Sequence, residues 1–78
     1  MSAVRLLARA EWTARLHRVH CEPLAGKTRL NTAEWWKSRW GFVFMVPIEN
    51  DLISENDLQA VIADVVASAP PGYSFLDS

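Results

Sequence analysis

A chain of 78 residues with one cysteine, Cys21, and a net charge of −1 has room for a single domain and cannot form an internal disulfide. Its composition, 50 % apolar and 22 % charged, is globular rather than disordered. The longest apolar run, Phe42 to Ile48, is far shorter than the roughly 20 residues of a membrane-spanning helix.

A chain this short buries roughly 60 % of the surface it exposes when unfolded, so its core is marginal and burial through assembly would add to it. A lone thiol fits a reducing, cytoplasmic setting. Small size and Arg-, Ala- and Trp-rich usage fit a bacterial or phage chain. The charge is unevenly distributed. All eight Lys and Arg lie between Arg5 and Arg39, giving that part +5, and the remainder from Trp40 carries −6. Such asymmetry suits either a basic face for an acidic partner or attraction between the two parts of one fold; the second reading is the expectation.

Residues 1–20 hold Arg5, Arg9, Arg15 and Arg18 against Glu11, which superficially resembles a mitochondrial transit segment. The regular alternation argues for a folded element instead. Val4, Leu6, Ala8, Ala10, Trp12, Ala14 and Leu16 occupy successive even positions, so the period of two predicts a long antiparallel strand over 4–16. The helix-favouring residues Ala, Leu, Arg and Glu leave an N-terminal helix as the rival. Glu22-Pro23-Leu24-Ala25-Gly26-Lys27 reads as a turn. Beyond it, Thr28 to Ala33 alternates as a second strand, or Asn31 and Glu34 cap a helix from Ala33 to Trp40 with Gly41 at C′. Both alternatives stay open on the sequence.

Trp40 to Val46 predicts a strand, aromatic and β-branched on both sides of the pleat and ended by Pro47. Ser54, with Asp57 three residues on, predicts a helix N-cap, and Ile53 with Leu58 a hydrophobic staple. Leu58, Val61, Ile62, Val65, Val66 and Ala69 form an apolar stripe that Pro70-Pro71-Gly72 ends. The tail's Tyr73, Phe75 and Leu76 are expected to dock. The fold class is therefore α+β: a small two-layer domain of about three antiparallel strands with a helix over about 55–69 packed on one face.

A strand apolar on both faces needs cover on both, and one confident helix shelters one. The other face calls for the tail, an N-terminal helix, a second copy or a partner. Trp35 and Trp36, if extended, point to opposite sides. Trp and Arg dominate binding hot spots, which makes Arg29, Trp35, Trp36, Lys37, Arg39 and Trp40 the candidate partner-binding residues. The expected function is non-enzymatic protein binding or self-assembly, as an inhibitor, adaptor or oligomer subunit. The alternative is nucleic-acid binding through the basic N-terminal part with tryptophan stacking, against which stands a pI of about 6.0, well below the values above 9 of committed nucleic-acid domains.

Enzyme chemistry finds little support. His17, His20 and Cys21 lack the further ligand pair of a tetrahedral zinc site. Cys21 beside His20 lacks a group to orient the base, and would count only if His17, His20 and Cys21 converged in a cleft. Gly26-Lys27-Thr28 lacks the earlier glycine of a phosphate loop, Glu49 and Asp51 read as a solvated loop, and Ser54 is a cap. No catalytic residue, metal or cofactor is expected.

Overall fold

The computed structural model describes residues 4–24 and 32–76. In chain order they form β1 (Leu6–Leu7), α1 (Arg9–Arg18), β2 (Cys21–Pro23), β3 (Ala33–Ser38), β4 (Val43–Pro47), β5 (Ile53–Ser54) and α2 (Glu55–Ser68). The antiparallel strands β2–β3–β4 make one sheet, and β1 pairs with β5 in a short antiparallel ribbon. This is the expected α+β architecture, a three-stranded antiparallel sheet with a C-terminal helix.

The long strand expected over 4–16 is not formed; its rival, the helix, is. After the two residues of β1 the chain turns into α1, whose buried side chains are Trp12 and Leu16, one helical turn apart. The period of two was carried largely by Ala8, Ala10 and Ala14, which are too small to dictate a face. Counting only the large side chains leaves the i, i+4 pair Trp12 and Leu16, and helix propensity then decides. The helix ends at Val19, and His20 takes a left-handed φ of 63°. The Val19 and His20 amides donate back to the carbonyls of Leu16 (3.1 Å) and His17 (3.0 Å). His tolerates this region better than most residues, and the turn sends the chain directly into β2. Glu22 and Pro23 thus belong to β2 rather than to a turn, with Pro23 on an edge strand where its missing amide is harmless. Residues 25–31, with the rest of the expected turn and Arg29, lie outside the described residues.

The helix expected over Ala33 to Trp40 is not formed: β3 occupies Ala33–Ser38 instead, and of the strand expected over Thr28 to Ala33, residues 28–31 lie outside the described residues and Thr32 precedes β3. β3 pairs with β4 in a register that sets Trp35 opposite Met45, Trp36 opposite Phe44 and Lys37 opposite Val43. Gly41, rather than ending a helix, closes the hairpin at φ 91°; its amide donates to Ser38 O at 3.0 Å, and the Phe42 amide to Ser38 Oγ at 3.0 Å. A second tight turn follows at Asn50 and Asp51, both left-handed (φ 53° and 65°). It is closed by reciprocal amide bonds between Glu49 and Leu52, 2.8 and 2.9 Å, the geometry of a two-residue hairpin turn that favours Asn and Asp.

α2 begins as expected. Ser54 is its N-cap and its hydroxyl accepts from the Asp57 amide at 3.1 Å. Leu58 and Val65 are fully buried, Val61 and Ile62 pack beside them, and Val66 at the margin of the stripe is exposed. Both helices lie on the same side of the sheet. Trp12 and Leu16 of α1, Leu58 and Val65 of α2, and Trp36, Phe44 and Val46 of the sheet form one core cluster, in which Trp12 meets Trp36 edge-on at 5.8 Å between ring centres.

Candidate functional site

The strand apolar on both faces resolves into an alternation of burial along β4: Phe44 and Val46 enter the core, while Val43 and Met45 remain 43 % and 49 % exposed. Because residues paired across an antiparallel ladder share a face, the register places Trp35 and Lys37 beside them on the side away from the helices. Glu22 of β2 stands opposite Lys37 on the same side. The result is an apolar area of Trp35, Val43, Met45 and Pro47 bounded by Lys37 and Glu22. Its Ala33 end is already buried. Among the described residues neither helix covers Val43 and Met45, and Tyr73 and Phe75 of the tail pack instead against Trp40 and His20 at the hairpin end.

The candidate binding residues therefore separate. Trp35 and Lys37, both half-buried, lie on the face away from the helices, and Arg39 is exposed at its end. Trp36 is 0 % exposed in the core, so it cannot meet a partner; strand parity sends it inward because its neighbour Trp35 points out. Trp40 is partly buried, with its indole Nε1 donating to Ser68 Oγ at 2.9 Å and its ring 4.6 Å from Tyr73. It anchors the tail. The tail docks through Tyr73 and Phe75, while Leu76 stays exposed. Val43, Met45 and Glu22 were not among the candidates; a β3–β4 hairpin register would have found the first two.

Three of the eight basic residues, Arg5, Arg9 and Arg15, are paired with carboxylates within the fold. Arg9 Nη1 reaches Glu34 Oε2 at 3.0 Å and its Nη2 reaches Asp51 Oδ1 at 2.8 Å. Its guanidinium lies 4.9 Å from the Trp12 ring centre, and the Trp12 indole donates to Asp51 O at 2.9 Å. Burial alone would lower the Arg9 pKa, but its hydrogen bonds to Asp51 and Glu34 raise it on balance. Arg5 and Arg15 share Glu55, at 3.3 and 3.2 Å. Among the described residues, Arg18, Lys37 and Arg39 have no carboxylate within 4.0 Å.

His17, His20 and Cys21 do meet in a cleft, of about 330 Å³, lined also by Glu22, Lys37, Ser38 and Arg39. The condition that would favour an enzyme is met in location, and the chemistry at the thiol opposes it. Cys21 is buried, its Sγ is 3.5 Å from Val19 O, and desolvation pushes its pKa up to about 11, so the nucleophilic thiolate is scarce near neutrality. His17 Nδ1 lies 3.0 Å from Cys21 O; a carbonyl only accepts, so that nitrogen carries the proton. His20 Nδ1 is engaged with the Tyr73 hydroxyl. No group of three or more His, Cys, Asp or Glu suited to a metal occurs among the described residues.

Comparison with protein-family models, with curated proteins and with solved structures finds no match. What the chain does must be argued from its surfaces. A further groove of about 440 Å³, lined by Leu6, Ile48, Leu52 and Ile53 with Glu49, Ser54 and Asp57, runs beside the β1–β5 ribbon, and its Ser54 hydroxyl serves as the cap of α2. No helix among the described residues is long and apolar enough to cross a membrane.

Proposed function

We propose that this chain is a non-enzymatic protein-binding module that assembles through the open face of its sheet, and that its partner is a second copy. The observation that carries this reading is the Trp35–Val43–Met45 area on the side away from both helices. Large indole and thioether side chains on a rigid sheet offer much apolar area at little entropic cost. Burying such a patch in a symmetric contact extends a core that 78 residues make marginal. Lys37 and Glu22 at its border, opposite each other in register, make the face self-complementary in charge. A two-fold contact requires just that property, because the same patch serves both subunits.

The test is mass by light scattering on size-exclusion chromatography at micromolar concentration. A dimer or larger species is expected, and Trp35→Ser shifts it to the monomer without changing far-UV circular dichroism. A parent protein that runs as a monomer throughout overturns self-assembly. One observation favours the nucleic-acid reading: Trp35 shares its sheet face with Lys37, and neither Lys37 nor Arg39 has a carboxylate partner among the described residues. Against it, Arg5, Arg9 and Arg15 are engaged with carboxylates and are not free for phosphates. Oligonucleotide binding that weakens steeply with salt would decide in its favour.

A further inference from the structure

The cleft at the end of α1 carries charge that the fold leaves unanswered. Arg5, Arg9 and Arg15 each have a carboxylate at 3.3 Å or closer. Lys37 and Arg39, both lining the cleft, have none within 4.0 Å among the described residues. They are held close together by the ladder: Lys37 pairs with Glu22, and the Arg39 amide donates to His20 O at 2.9 Å. Among the described residues of the lining, Glu22 is the one carboxylate, against the two cations Lys37 and Arg39 and the two imidazoles of His17 and His20.

We propose that this cleft binds a phosphate-type dianion, free or carried as a phosphomonoester. The warrant is charge and donor geometry. Two like charges two residues apart, Lys37 near the end of β3 and Arg39 in the turn just after it, repel, and a bound dianion answers both. The guanidinium fork matches two oxygens of one phosphate, while the Lys37 ammonium acts as a point charge. The helix end does not oppose the ligand strongly, because the Leu16 and His17 carbonyls already accept from the Val19 and His20 amides. His17 Nδ1 donates to Cys21 O, and its Nε2 has no hydrogen-bond partner among the described residues. The cleft, about 330 Å³, has space for the group that bears the phosphate. The cleft shares Lys37 and Glu22 with the border of the apolar area, but Trp35, on which the proposed assembly rests, does not line it.

The experiment is a titration of the intact protein with inorganic phosphate at constant ionic strength, balanced with sodium chloride. It is followed by the ring resonances of His17 and His20 in ¹H–¹³C spectra. Saturable shifts of both rings are expected. Lys37→Gln and Arg39→Gln each weaken the affinity about tenfold, the loss of one charge-assisted contact. Glu22→Gln tightens it, and Arg5→Gln and Trp35→Ser leave it unchanged. A parallel titration with phosphoserine separates the sources: tighter binding than inorganic phosphate assigns the site to phosphomonoesters, weaker binding to the free ion. Shifts that sodium chloride reproduces, that never saturate, or that survive both Lys37→Gln and Arg39→Gln overturn the proposal. Trp35→Ser tells the two readings apart, since it removes assembly and spares the anion site.

Discussion

Replacing Arg9 by Met tests what ties α1 to the rest of the fold. Its guanidinium joins Glu34 of β3 to Asp51 of the tight turn, so one side chain spans three parts of the chain. The Glu34 side chain is 11 % exposed, that of Arg9 32 % and that of Asp51 52 %. Removing one partner of a fully buried pair costs about 3–5 kcal/mol, chiefly because the other charge is left dry. Water reaches Arg9 here, so we expect about 2–3 kcal/mol for Arg9→Met, nearly all of it through Glu34. Asp51→Asn, at the exposed end and in a left-handed position that Asn accepts, should cost under about 1 kcal/mol. The double variant Arg9→Met with Glu34→Met should recover most of the loss, since the stranded carboxylate is gone. Urea unfolding followed by tryptophan emission reads all of these, because Trp12 and Trp36 pass from a dry core into water. An Arg9→Met cost below about 0.5 kcal/mol, or a double variant equal to the sum of the singles, would refute the clasp.

On β4, Val46→Ala should lose about 2 kcal/mol through lost burial and a residual cavity, as Val46 is fully buried. Met45→Lys, one residue away on the open face, should leave the unfolding of dilute protein within about 0.5 kcal/mol and reduce the assembled fraction. Ser54→Ala removes the hydroxyl that accepts from Asp57 and should cost about 1 kcal/mol, read from the thermal midpoint. For Cys21, the folded state keeps the thiol protonated to about pH 11, whereas the unfolded chain releases the proton near 9.0. Between those values the unfolded state binds fewer protons, so stability falls as pH rises, by about 2 kcal/mol across the window. Urea midpoints on either side of that window should show the fall in the parent and lose this component in Cys21→Ala.

α2 was legible because every local signal agreed. The Ser54 cap, the Leu58-to-Val65 stripe and Pro70 each name a boundary or a face by stereochemistry alone. α1 was not legible in that way. Its cap position is Ala8, with no side-chain hydrogen bond, and its alanines imitate a strand's alternation. The size-weighted pair Trp12 and Leu16 was the better guide. At β3 the sequence carried two consistent readings, since Gly41 suits a helix C′ position and a hairpin turn equally well. The choice came from pairing with β4, a non-local contact. Opposite orientation of Trp35 and Trp36 followed from parity once the strand was given; which of them faced inward depended on Phe44 standing opposite Trp36. The ion pairs were legible only as an imbalance. The sign asymmetry says that the two parts attract, whereas the partners of Arg9 and Glu55 lie 25 to 50 residues away.

The charge layout and the placing of both helices on one side of the sheet have one cause. The ion pairs of Arg5, Arg9 and Arg15 draw α1 onto β3, the Asn50–Asp51 turn and the start of α2. All of these contacts gather on the side where the helices pack. The molecule measures 38 × 34 × 18 Å, and its short dimension holds a sheet with a single helical layer. That layer already uses Trp12, Leu16, Leu58 and Val65 against Trp36, Phe44 and Val46. Neither helix can therefore turn to shelter Val43 and Met45 without exposing the core it now covers. Exchanging one apolar face for another gains nothing in burial, so in the proposed assembly a docked copy, rather than a helix shift, is what would take Val43 and Met45 out of water.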